Sequence, residues 1–342
     1  MDFNPPNRFE SIHMVEDPGM DEHVENRKVP TELYRDDTQS IISYNDSSDV
    51  GFNASVNPYR GCEHGCVYCY ARPTHEYLGF SSGLDFETKI LIKERAPELL
   101  RAELSNRKWK PQLLVMSSVT DAYQPLEKRF RLTRGCLEVL AEFKNPVGII
   151  TKNQLVTRDI DILKNLAINK QSMVLLSITT LDWDLQKSME PRTSSPEMRF
   201  DTIQKLRETG IPVGVMIGPV IPGLTDHEIP GILERAADSG ASFASYILLR
   251  LPHAVSELFQ HWLKRFSPEK QQKILNRIRE VREGKLNSSE FGTRMKGEGL
   301  QAQQMSNLFK VSCKKYGLKT RPPELSLKHF HNPDDRQLWL FQ

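Results

Sequence analysis

Gly61-Cys62-Glu63-His64-Gly65-Cys66-Val67-Tyr68-Cys69-Tyr70 is the stretch that decides how the rest of the chain is read. Three of the chain's five cysteines stand there within eight residues, spaced C-x3-C-x2-C. Such a loop can wrap three sulfurs around one corner of a small inorganic cluster, but it supplies one ligand fewer than a closed four-coordinate site requires. An iron left without a protein thiolate can bind a small molecule, so the pattern points to a catalytic cluster. A structural zinc ion is the alternative, and it would need a fourth ligand such as His64, His75 or Cys136.

Around this loop the chain alternates short buried-strand runs with amphipathic helical stretches, the pattern of βα units on a parallel sheet. The expected strands lie near Asn53–Asn57, Leu113–Met116, Val147–Ile150, Val174–Leu176, Val213–Ile217 and Tyr246–Leu249. Helix punctuation separates them: Pro97 at one start, Thr157 and Asp159 at another, and Gly210 with Pro212 at a stop. Six units predict an α/β fold of the (βα)6 partial TIM barrel type, open at the side so that a large substrate reaches the strand ends. Phe86–Lys93 is expected to be an added strand or hairpin outside the repeat.

The expected organisation is an irregular N-terminal segment over 1–50, a barrel domain over 51–265 and a basic helical extension over 266–342. In the first segment, prolines and acids such as Asp17, Asp21, Glu22 and Glu25 interrupt any apolar pattern. In the last, helices are expected from Pro268 to Glu283 and from Leu300 to Tyr316, separated by a turn through Gly292, Gly297 and Gly299.

Composition restricts the function classes. Of 342 residues, 38% are apolar and 26% charged, and no apolar run is long enough to span a bilayer, so no membrane partner is expected. The start, Met1-Asp-Phe-Asn-Pro-Pro6, lacks the basic and apolar stretches of a secretory signal, which predicts a cytoplasmic protein. In that reducing compartment crowded thiols bind metal rather than pair as disulfides. Net charge is +2, but Lys264–Lys328 holds sixteen Lys or Arg against six Glu. Such a basic end suits a polyanion such as nucleic acid; a solvated helix face is the plainer reading.

Polar residues gather where the strands should end, the rim at which βα barrels carry their sites. They include Ser117, Ser118, Thr120 and Asp121 after the second strand, Thr151 and Lys152 after the third, and Ser177, Thr179 and Thr180 after the fourth. Cys136 shares an apolar helical face with Leu132, Val139, Leu140 and Phe143 and reads as a core thiol; Cys313 reads the same way.

The cysteine spacing, the aromatic Tyr68 before the third cysteine and the following αβ repeat together resemble the radical S-adenosylmethionine (SAM) superfamily. The resemblance implies a [4Fe–4S] cluster on Cys62, Cys66 and Cys69, with SAM on the fourth iron, cleaved reductively to a 5′-deoxyadenosyl radical that abstracts hydrogen from the substrate. A flavodoxin or ferredoxin would be the reductant. A narrower likeness, to the spore-photoproduct-lyase-like branch, runs from Asn57 to Leu251. It rests on Asn57-Pro-Tyr-Arg-Gly61, Cys69-Tyr-Ala-Arg72, Glu190-Pro-Arg-Thr193 and the run from Gly210 to Asp226.

By that likeness Lys152 and Ser177 hold SAM, Tyr68 lies against its adenine, and Ser118, Thr120 and Asp121 are candidates for its amino group. Arg192 and Arg199 are candidates for a carboxylate or a substrate phosphate, against helix capping or solvent contact as the alternatives. The branch's hydrogen-donor cysteine has no counterpart here, and Tyr123 is the candidate relay in its place. A nucleic-acid substrate is the expectation by analogy. Peptide or protein modification is the other enzymatic reading, and a zinc-containing nucleic-acid-binding module the non-enzymatic one.

Overall fold

A computed structural model describes residues 1, 3–9 and 30–333. The acidic stretch through Asp17, Asp21, Glu22 and Glu25 and the end of the C-terminal tail lie outside the described residues. The strands in chain order are β1 (Glu32–Arg35), β2 (Ile42–Tyr44), β3 (Ala54–Val56), β4 (Tyr59–Arg60) and β5 (Lys89–Ile92). There follow β6 (Leu114–Met116), β7 (Val147–Thr151), β8 (Ser172–Ser177), β9 (Val213–Val220) and β10 (Phe243–Leu248).

The main sheet has the order β10-β9-β8-β7-β6-β3-β2. Every pair from β3 to β10 is parallel, and β2 closes the edge antiparallel to β3. These strands form because runs such as Val147-Gly-Ile-Ile and Ser172-Met-Val-Leu-Leu are apolar on both faces, as a sheet covered on both sides requires. The covering helices are Ala96–Ser105, Leu132–Glu142, Ile160–Ile168, Pro196–Glu208, Ile229–Asp238 and Gly299–Lys315, whereas Ala254–Phe266 packs beside the cysteine loop. The helix from Pro196 starts where Ser195 accepts a hydrogen bond from the Met198 amide and proline takes the first helical position. Cys136 is fully buried in the core beside the sheet, and Cys313 is on the buried face of the last helix, Gly299–Lys315.

A smaller sheet has the order β1-β5-β4. The expected strand over Phe86–Lys93 is therefore present from Lys89, whereas Phe86–Thr88 closes a short helical turn. Two strands, β1 and β2, fall inside the lead-in expected to be irregular. They carry little apolar pattern of their own, and their order comes from the partners they pair with, β5 and β3.

Opposite edges of the main sheet are tied together. The Leu248 amide at the end of β10 donates to Met295 O (2.9 Å). In the same segment, the Gly292 amide donates to Asp49 (2.6 Å) and Arg294 pairs with Asp49, which belongs to the loop after β2. Beyond the last helix the chain runs along β10, where the Ala244 amide donates to Lys319 O at 2.8 Å and shields that edge. No helix of the described residues is long and apolar enough to cross a membrane.

Candidate active site

The cysteine loop follows β3 and β4 and is held by its backbone. Gly61 has φ +81°, and a Cβ there would meet Ile90 Cδ1 at 2.8 Å and Phe86 O at 2.9 Å. The absent side chain lets the Cys62 amide reach Phe86 O at 2.9 Å. Gly65 has φ +68°, and its missing Cβ leaves room for Arg192 Nη2 and Glu87 Oε2. Arg72, fully buried, donates to Cys66 O (2.9 Å), Gly83 O (2.7 Å) and Glu87 (3.0 Å). Arg192 spans the loop from the other side, donating to Glu63 O and pairing with Glu87. Burial opposes the charge on Glu87, but Arg72 and Arg192 hold its carboxyl below the usual range.

Cys62 and Cys66 are buried and Cys69 is half-buried. Cys66 and Cys69 border one apolar cluster, Cys62 and Cys69 another, so the three thiols of one loop share a largely dry setting. Burial, with Glu190 nearby, pushes the Cys66 thiol well up, and burial raises Cys69 as well.

Across from the loop, the ends of β7, β8 and β9 carry a connected polar group. Lys152 Nζ donates to Ser177 Oγ (3.1 Å), which donates to Gly218 O (3.1 Å). Lys152 Nζ also lies 5.9 Å from the centre of the Tyr68 ring. The Tyr68 hydroxyl donates to Glu190, and Thr179 Oγ1 lies 2.7 Å from Glu190 and 3.0 Å from Gly218 O, with one proton to give. Arg199 closes the group by pairing with Glu190 and donating to Ser177 O at 2.7 Å. Burial opposes ionisation of Glu190, yet Arg199 and Lys152 draw its pKa down to about 2. Glu190 and Arg199 are both almost fully buried, so Arg199 neither caps a helix at the surface nor faces water.

Asp121 ties β6 to β7: it accepts from Thr151 Oγ1 (2.7 Å) and the Lys152 amide (2.8 Å), with His64 Nδ1 at 3.4 Å. Burial opposes its charge, but His64 and these donors hold the carboxyl down to about 2. Ser118 sits between Asn57 Nδ2 (3.1 Å) and Ser55 Oγ (2.8 Å), and Thr120 donates to Tyr59 O at 3.2 Å.

Residues 56–236, more than half of the chain, match the family model described as the Radical SAM superfamily. The chain belongs to the radical SAM superfamily. It is 35% identical over 232 residues to an uncharacterised protein of Mycobacterium tuberculosis (strain ATCC 25618 / H37Rv), covering 67% of each chain. It is 27% identical over 225 residues to the Radical SAM Nalpha-GlyT isomerase of Pseudomonas phage M6, covering 63% of this chain and 43% of that one. The fold is similar to that of spore photoproduct lyase complexed with dinucleoside spore photoproduct. The TM-score is 0.58 and the identity 15%, over 84% of this chain and 80% of that one.

Radical SAM proteins are enzymes that use a [4Fe–4S] cluster and SAM, and these are the cofactors of this chain. Its donor set fits the cluster: three thiols from one pinned loop, in apolar surroundings, whose protons would leave on ligation. A cluster asks for a different spacing from a single ion, because each thiolate binds its own iron. Among the described residues, no three His, Cys, Asp or Glu side chains close around one point.

The expected site residues do not all come together. Tyr68, reaching from the loop, comes together with Lys152 and Ser177 at the strand ends, with Asp121 beside them through the Lys152 amide. Arg192 is turned onto the loop itself. Tyr123, expected as a hydrogen relay, is instead fully buried in the main core, where its hydroxyl donates to Asp159 (3.1 Å), an acid already paired with Arg134 and Arg158. A hydroxyl so engaged is a strut between the loop after β6 and the start of the helix Ile160–Ile168, which follows β7. Sequence reasoning missed Glu190 as the hub of the polar group, although its motif Glu190-Pro-Arg-Thr193 stood out; the signal was a charged residue that no exposed helix face required.

Proposed function

We propose that this radical SAM enzyme acts on nucleic acid, with the spore-photoproduct-lyase-like arrangement of a (βα)6 partial barrel whose strand ends are reached from the side. The observation that carries the reading is that Tyr68, within the three-cysteine loop, meets Lys152 and Ser177 at the strand ends.

Cys62, Cys66 and Cys69 would hold the cluster. With SAM and an electron from a flavodoxin or ferredoxin, a cluster held there would supply radical hydrogen abstraction from the substrate. The chain's own work is positioning. Lys152 Nζ, kept at the rim by Ser177, gives the SAM carboxylate an ammonium partner in a low-dielectric setting. Glu190 and Arg199 fix Tyr68 and Ser177 at once, so the Tyr68 ring is set as a wall for the adenine. Asp121 spends its acceptors on β7 and holds Lys152 at the level of the loop, while Ser118 and Thr120 shape the end of β6. Arg192, anchored on Glu87, keeps Glu63–Gly65 folded over the cysteines.

A nucleic-acid substrate is supported by the dinucleoside named with the lyase of similar fold and by the basic Lys264–Lys328 region. The test is anaerobic incubation of the reduced enzyme and SAM with UV-irradiated oligonucleotide, unirradiated oligonucleotide and peptides in parallel. An oligonucleotide product formed with 5′-deoxyadenosine is expected. Products from peptides alone would overturn the substrate class and leave the enzyme class standing.

A further inference from the structure

Arg250, immediately beyond β10, pairs with no carboxylate among the described residues, although it lies beside the cysteine loop. Its guanidinium carbon is 5.5 Å from the centre of the Tyr70 ring, and Tyr70 directly follows Cys69. Its Nη1 meets only the Met295 sulfur at 3.9 Å, and its Nε is buried without a hydrogen-bond partner. Two further guanidinium groups stand behind it. Arg282, 2% exposed, donates to Leu249 O (2.8 Å) and Thr293 O (3.2 Å) and also keeps a buried Nε without a partner. Arg294 is paired with Asp49, among the described residues the one carboxylate in direct contact with any of the three. Arg282 and Arg294 belong to the basic Lys264–Lys328 region, so part of that charge is turned inward to the rim rather than spread over a helix face.

Arg250 is half-buried, and leaving its buried Nε without a partner is costly unless an anion meets the group. Its planar fork suits an anion offering two oxygens. Beside it the half-exposed Tyr70 ring is fixed at its far end, where the hydroxyl donates to Ser118 O at the end of β6. A rigid ring next to a free guanidinium is the pairing that takes a base and its adjoining phosphate. We propose that Arg250 and Tyr70 form a nucleotide subsite, Arg250 binding one phosphodiester and Tyr70 stacking the neighbouring base. The subsite rests on the nucleic-acid reading above and would place a chosen nucleotide beside the cysteine loop. Arg282 is a positioning residue: it holds Leu249 O and hence the end of β10 from which Arg250 projects.

The test uses the full chain with its cluster, a fluorescent single-stranded oligothymidylate and anisotropy titrations across a salt series. Arg250→Ala should weaken binding at low salt and reduce the slope of log affinity against log salt by about one. Arg250→Lys should recover part of the slope. Tyr70→Leu should cost about tenfold in affinity with the slope unchanged. A single neutral methylphosphonate linkage, scanned along the oligonucleotide, should weaken the wild type at one position and leave Arg250→Ala unaffected there. Iron content and thermal midpoints of the variants check that they fold. If the wild type binds with a steep slope and Arg250→Ala binds identically, the subsite is refuted and the nucleic-acid reading survives. Should the wild type bind no oligonucleotide at low salt, both fail. Loss of SAM binding by equilibrium dialysis in Arg250→Ala, with the oligonucleotide slope intact, would assign Arg250 to the SAM carboxylate and overturn the subsite.

Discussion

Replacing Glu190 by Gln keeps the size of the side chain and most of its hydrogen bonding but removes its charge, leaving Arg199 buried without its ionic partner. The folded-state pKa of Glu190 is drawn from 4.5 down to about 2. That depression corresponds to about 3 kcal/mol of folding stability at neutral pH. Breaking a buried pair by removing one partner costs roughly 3–5 kcal/mol, which agrees. The sign follows from the direction of the shift. Because the folded pKa lies below the unfolded one, the contribution is complete above the unfolded value and is lost as pH falls toward the folded value; more than half is gone by about pH 3. Urea unfolding of wild type and Glu190→Gln should therefore differ by about 3 kcal/mol near pH 7 and by under about 2 kcal/mol near pH 3. Combining Glu190→Gln with Arg199→Met should recover part of the loss, since no buried cation is then left unpaired. A difference below about 1 kcal/mol near pH 7, or one independent of pH, would refute the assignment of Glu190 as the hub of this group.

Three further outcomes follow from the same geometry. Gly65→Ala forces a Cβ onto Arg192 and Glu87 at a left-handed backbone position; it should cost about 2 kcal/mol or more in urea unfolding and lower the iron bound per chain. Lys152→Met removes the ammonium from the rim while leaving the cysteine loop untouched. It should weaken SAM binding in equilibrium dialysis by about tenfold or more, with iron content retained; unchanged affinity would remove Lys152 from the SAM site. Cys136→Ala, in contrast to any change at Cys62, Cys66 or Cys69, should leave iron content intact and cost stability alone, because its thiol is enclosed by the core.

The parallel strands were legible because each is a contiguous apolar run. Val147–Ile150 and Val213–Ile217 begin where the structure begins them and stop short by one and three residues, since Thr151 and the Gly218-Pro219 pair look like loop by composition. β10 was read late, from Tyr246 rather than Phe243, because Ser242 and Ser245 break its apolar pattern. β1, β2 and β4 left little trace: they are short, largely polar strands whose order depends on partners distant in sequence. The candidate site divides in the same way. The cysteine loop is local and was read from spacing alone, whereas Tyr68–Glu190–Arg199 and Arg72–Glu87–Arg192 join residues as far as 131 positions apart. Tyr123 misled because a polar aromatic near a strand end carries no mark of which way it points.

The measurement that tests the account most directly is anaerobic reconstitution of the full chain with iron and sulfide, followed by reduction in the presence of SAM and mass analysis of the products. The account predicts a coloured iron–sulfur protein that forms 5′-deoxyadenosine and methionine, with both cluster and products lost when Cys62, Cys66 or Cys69 is replaced by Ala. A colourless protein that takes up zinc but neither iron nor sulfide, and leaves SAM intact, would contradict it.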